Sequence, residues 1–244
     1  MLKYRTNAAV AHTAPLVAFM LLTTAVGWIA VKNKALPWWR SVPEHWVYPL
    51  QTLVCGALVV FFWQNYTFKP LRGFILAVVL GVVSIVLWIL PAHLYAIWPN
   101  HAAIPLLGFT AREGEGFDPT LFASDPFWYA LVILMRFARM VIVVPFVEEL
   151  FWRGFLMRWL VSRDEKRFTA VTVGTHSWRA FIITTAAVVF VHSKEDWLGA
   201  LIFGSLMYFL CVRTKSLAAC VLMHAVANLI LGIYVLNTRQ WGFW

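Results

Sequence analysis

Charge is what this sequence has least of. Only 13% of its 244 residues are charged, about half the ~25% of a soluble domain. That excludes a large solvated surface. Cysteine is also scarce: Cys55, Cys211 and Cys220 are the three present, each within or beside an apolar segment. No C-x-x-C spacing occurs, so neither a disulfide framework nor a dithiol redox site is expected, and a buried thiol behaves as a small hydrophobe. There is no internal repeat, no low-complexity tract and no H-E-x-x-H. The start MLKYRTNAAVAHTAPLVAFMLLTTA is basic and then apolar. It lacks a small-x-small cleavage site, so it is expected to be a retained membrane helix and not a cleaved signal.

What is present is apolar. Hydrophobic residues make up 61% of the chain, and the mean hydropathy is +0.74. Apolar runs cover 12–31, 47–63, 73–98, 126–161, 179–192, 198–212 and 216–236, and a helix needs ~20 such residues to cross a bilayer. The predicted fold class is all-α: a polytopic membrane protein of seven or eight transmembrane helices around a central polar cavity. One domain spans 1–244, with a core at about 126–236. The 126–161 run is too long for a simple crossing and reads as one long tilted helix or as a crossing plus an interfacial helix. Fourteen tryptophans suit the water–lipid interface.

The net charge of +9 sits at the ends of apolar runs. No basic groove with interleaved aromatics is visible, which argues against a nucleic-acid partner and for the lipid bilayer. Lys3 and Arg5, Lys69 and Arg72, Arg163 to Arg179, and Arg213 with Lys215 fall on one side if spans alternate, the cytoplasmic side by the positive-inside rule. The acidic 99–125 loop falls opposite. The 32–46 loop, with Lys32, Lys34 and Arg40, does not fit this pattern.

Against that background the stretch 145-PFVEELFWRGFLMRWL-160 is anomalous. A carboxylate at the bilayer centre costs about 2.5–3.5 kcal/mol on insertion scales, and here two are adjacent. Glu149 and Arg153 are i and i+4, so a helix lets them pair. Glu148 points ~100° away and is left without such a partner. Later helices add His192, at the end of an apolar run, and His224 with Asn228, which share a face as i and i+4. Counted from the expected cytoplasmic ends, Glu148, His192, His224 and Asn228 lie roughly 14–22 Å deep, a common layer. Taken singly, a membrane histidine is more often a satisfied core residue, and an asparagine is often interhelical glue.

Taken together, Glu148-Glu149-x-x-x-Arg153, a late-helix His192 and His224-x-x-x-Asn228 resemble the CPBP family. These are intramembrane proteases named for CAAX-prenyl proteases and bacteriocin-processing enzymes. The segments AAVAHTAPLVAFM, WVYPLQTLV, VPFVEELFWRGFLMRWL and GIYVLNTRQWGFW resemble its bacterial branch associated with exosortase and PEP-CTERM sorting. One departure is Val188, four residues before His192, where the family usually has Phe. Ser193-Lys194-Glu195-Asp196 is unusually charged for that branch.

The resemblance implies peptide-bond hydrolysis in the membrane without a Ser or Cys nucleophile. Glu148 would be the general base on a water held with His192, and His224 and Asn228 would form the oxyanion hole. Glu149 and Arg153 would buttress Glu148 or orient the substrate. A zinc ion held by Glu148, His192 and His224 is the alternative chemistry, although asparagine is a poor zinc ligand. The implied partner is a membrane-anchored or lipidated protein tail in a bacterial inner membrane, with a functional link to an exosortase system. Two other readings remain open: a catalytically silent partner of such a system, and a proton-coupled carrier, whose expected pseudo-repeats are not seen.

Overall fold

The computed structural model describes residues 5–31, 33, 35–98, 102–112, 116–164 and 166–244. Among the described residues no strand occurs beyond a lone bridge between Ile104 and Phe109, and the longer helices are α1 (Ala8–Ile29), α2 (Glu44–Phe61), α3 (Phe74–Ile97), α4 (Pro126–Ser162), α5 (Trp178–Phe190), α6 (Trp197–Thr214) and α7 (Leu217–Thr238). The chain is an all-helical polytopic membrane protein. Five of these helices, α1, α3, α4, α6 (extended by the turn from Lys194) and α7, are long and apolar enough to cross a bilayer. At 18 and 13 residues, α2 and α5 are shorter.

Helix starts follow ordinary capping chemistry. Asn7 accepts from the amides of Ala9 and Val10, and Asp125, just before Pro126, accepts from those of Phe127 and Trp128. Ser177 and Ser216 cap α5 and α7. Each satisfies helical N–H groups that have no intrahelical acceptor. Arg163, Lys215 and Arg239 end α4, α6 and α7 in the left-handed conformation.

The long run at 126–161 resolves into a single 37-residue helical segment. It is not uniform. Residues Ala138–Val143 and Leu150–Leu156 wind as π-helix, bracketing the two glutamates. Pro145 has no N–H to give to the carbonyl of Val141, and the turn before it is the widened one. π-turns re-aim side chains and recur at functional sites.

The bundle is apolar outside. Ile75 (84% exposed), Phe127, Leu134, Ile182 and Phe190 face outward, as lipid-facing residues do. The tight core lies between α3, α4, α6 and α7. A Cβ on Gly81 of α3 would stand 2.8 Å from the backbone oxygen of Met223 on α7, so only glycine permits this approach. Cys55, Cys211 and Cys220 are free, buried thiols.

Segments grouped by their positive charge meet at one end of the bundle. Asn65 donates to the carbonyl of Arg5 at 2.9 Å, Arg72 Nε to that of Thr214 at 2.6 Å, and Lys215 Nζ to that of Gly174. At the other end Arg112 pairs with Asp196 at 2.6 Å, and His45 Nε2 donates to the carbonyl of Asp118 at 2.9 Å.

Candidate active site

A cavity of about 230 Å³ opens among α1, α3, α4, α5, α6 and α7, and Glu148, Arg153, His192, His224 and Asn228 all line it. The sequence offered Glu148, His192, His224 and Asn228 at a common depth. The fold supplies what depth alone does not, which is that they face the same space. Glu149 does not line the cavity.

The two glutamates are in different environments. Glu149 is fully buried. Its Oε1 accepts from Arg153 Nη1 at 3.2 Å and from His224 Nδ1 at 2.9 Å. The Arg153 guanidinium and a ring N–H of His224 offset the cost of a carboxylate away from water. Glu148 is partly exposed to the cavity. Its single hydrogen bond among the described residues is a long one, 3.4 Å from Trp152 Nε1, one turn ahead. Its oxygens are otherwise open to what enters. The i,i+4 spacing of Glu148 and Trp152 is legible in the sequence.

Both histidines are fixed by their Nδ1 atoms. His192 donates Nδ1–H to the carbonyl of Val188 at 2.7 Å. A backbone oxygen can only accept, so the neutral ring carries its free lone pair on Nε2. Position 188 supplies this carbonyl whatever its side chain, and the valine side chain there is buried and lines the cavity. His224 gives Nδ1–H to Glu149 and packs edge-on against Phe203. The pairing of His224 with Glu149, across 75 residues, was not legible from spacing. Asn228 donates Nδ2–H to the carbonyl of Met140 at 2.6 Å, inside the first π-turn. That leaves the second N–H of the same amide for another acceptor.

The charged 193–196 turn has a holding role. Asp196 accepts from Trp88 Nε1 (2.9 Å), Arg112 Nη2 (2.6 Å) and Ser193 Oγ (2.7 Å). Arg112 lies over the ring of Phe243 at 4.6 Å. Asp196 thereby ties the turn after His192 to α3, to the 102–112 segment and to the C-terminal residues.

Two cavity residues were overlooked in the sequence. Arg136 and Arg139, on the same helix as the glutamates, line the cavity and are buried. Arg139 donates Nε to Gln51 Oε1 at 2.5 Å and sits over Tyr48 at 4.1 Å. The signal was present: two arginines three apart in an apolar run are as costly in a membrane as two glutamates.

Zinc is the alternative occupant for Glu148, His192 and His224. The imidazoles suit it, since each has Nδ1 engaged and Nε2 left over, as metal-bound histidines do. The placement does not: among the described residues no three His, Cys, Asp or Glu side chains converge closely enough to hold a metal ion.

Comparison with known proteins adds one finding. Residues 128–230 match the family model described as Rce1-like, type II CAAX prenyl endopeptidase. No curated protein and no solved structure matches the chain. The matched stretch contains Glu148, Glu149, Arg153, His192, His224 and Asn228, so the chain is similar to that family over this part of its length.

Proposed function

We propose that this chain hydrolyses a peptide bond in a membrane-anchored or lipidated protein tail, with Glu148 as the general base. The observation that carries this reading is the convergence of Glu148 on α4, His192 in the turn after α5, and His224 and Asn228 on α7, on one cavity inside an apolar bundle.

In this mechanism a water lies between Glu148 and His192 Nε2. Glu148 takes its proton as the oxygen attacks the carbonyl carbon, within the reach a general base needs. The oxyanion forms opposite Asn228, whose second Nδ2–H is free to donate. His224 is the second donor in its doubly protonated form, Nδ1–H on Glu149 and Nε2–H on the oxyanion, which ties that role to the buried Glu149 carboxylate. Collapse breaks the C–N bond, and the proton held by Glu148 passes to the leaving nitrogen. One water is consumed, and a carboxylate and an amine are released. In this scheme Glu149 holds His224 and Arg153 holds Glu149, and neither is hydrogen-bonded to Glu148 among the described residues.

The finer setting rests on the four segments that resemble the exosortase-associated branch: a bacterial inner membrane, and a sorting tail as substrate. The test that separates an enzyme from a silent membrane partner is Glu148→Ala in cells. Normal membrane insertion with loss of tail processing supports the enzyme. Retained processing overturns it.

A further inference from the structure

Residues 240–244, which follow α7, fold back over one end of the cavity. Phe243 is part of its lining. The ring lies under the Arg112 guanidinium at 4.6 Å, and Arg112 is tied through Asp196 to the turn after His192. Trp244 covers Arg136 at 5.3 Å and packs against Phe117 and Phe137, with ring centroids 6.2 and 6.3 Å apart. The backbone is held more sparsely. Gly242 N–H donates to the carbonyl of Arg112 at 2.8 Å, and the return bond from Arg112 Nη1 to Gly242 is long, at 3.4 Å. A Cβ on Gly116 would collide with the backbone oxygen of Trp241, so this closure needs glycine there.

The closed arrangement leaves polar groups unmet. Trp244 Nε1, Arg112 Nε, and Arg136 Nε and Nη1 are buried N–H donors without a hydrogen-bond partner among the described residues. All four belong to this segment or to arginines it packs against. Ring faces stabilise a cation but leave its N–H groups unsatisfied. Such a donor carries its full desolvation penalty, which is relieved when the group is uncovered. The ring contacts therefore favour closure, and the four donors oppose it. A short segment held by opposed contributions opens locally at lower cost than the packed helices beneath it.

We propose that residues 240–244 are a gate. Closed in this structure, they swing away from Arg112 and Arg136 and so admit solutes to Glu148 from the end of the bundle opposite the basic segments. On opening, Phe243 leaves the cavity, and the four donors meet water or the oxygens of what enters. The gate concerns access to the cavity, and its test does not depend on peptide cleavage.

The test uses full-length protein in detergent carrying the reporter Val144→Cys, on the cavity wall one turn before Glu148. A water-soluble maleimide is added, and labelling of each cysteine is followed by mass spectrometry. The buried Cys55, Cys211 and Cys220 are internal controls for general loosening. Neither Trp244 nor Gly116 lines the cavity, so replacing either removes no wall. Trp244→Ala loses the ring contacts, and Gly116→Ala displaces Trp241. Each should speed labelling of the reporter about tenfold, the scale of a few lost ring contacts acting on a local opening. Trp244→Phe keeps a ring and removes an unmet donor, so it should label no faster than the parent. The native thiols should keep their parent rates throughout. Equal labelling of the reporter in all backgrounds, whether fast or absent, overturns the gate. Acceleration shared by the native thiols in both Trp244→Ala and Gly116→Ala overturns it too, since the whole bundle has then loosened. So does a Trp244→Phe protein that labels as fast as Trp244→Ala, because the opposed contributions described above would then be wrong.

Discussion

Adjacent glutamates should give opposite phenotypes. Glu149→Ala removes a fully buried carboxylate and leaves Arg153 (4% exposed) and His224 (7%) facing each other without it. Breaking a buried pair from one side costs about 3–5 kcal/mol. At roughly 2–4 °C per kcal/mol for a chain of this size, the melting temperature in detergent should fall by about 6–20 °C. Glu148→Ala removes a partly exposed group with one 3.4 Å hydrogen bond and should change stability by less than about 1 kcal/mol, while lowering the hydrolytic rate by about 10²–10⁴-fold as loss of a general base does. Thermal unfolding and peptide cleavage on the same three preparations measure both. A Glu149→Ala protein as stable as wild type would refute the assignment of Glu149 to holding. A Glu148→Ala protein that melts as early as Glu149→Ala would show that Glu148 holds the fold as well.

Three further outcomes are expected. Asn228→Ala should slow turnover by about 10²–10³-fold through loss of an oxyanion donor, with a much smaller change in KM; steady-state kinetics separate the two. Asp196→Asn should weaken the tie between the His192 turn, Trp88 and Arg112, giving a rate loss of about tenfold or more and faster hydrogen exchange at 192–197, whereas wild-type exchange there would rule out the positioning role. Gly81→Ala places a Cβ against the Met223 backbone oxygen, and overpacking of this kind costs about 1–3 kcal/mol, read as a lowered melting temperature.

The all-helical membrane fold was legible because it rests on local quantities: apolar runs, and basic residues at their ends. The helix count was less so, since α5 has only 13 residues and hydropathy alone does not say whether such a helix crosses. The Glu149–Arg153 pair was legible from i,i+4 spacing. The role of Glu149 toward His224 was not, because spacing places residues along a helix and not across a bundle. The π-turns at 138–143 and 150–156 were also hidden. They decide that Met140 offers Asn228 a carbonyl, and uniform helical periodicity does not foresee them. Arg136 and Arg139 are a different kind of omission. The cost argument applied to Glu148 and Glu149 applies equally to arginines at that depth, and it would have marked them.

The central claim is that Glu148 acts as a base on water in this cavity. The most direct measurement is cleavage of a candidate membrane-anchored peptide by purified protein, wild type beside Glu148→Gln, each with and without a strong chelator. The account predicts cutting by wild type, unchanged by the chelator, and none by Glu148→Gln. Undiminished cutting by Glu148→Gln would contradict it. Cutting that the chelator abolishes and zinc restores would make the same residues ligands instead.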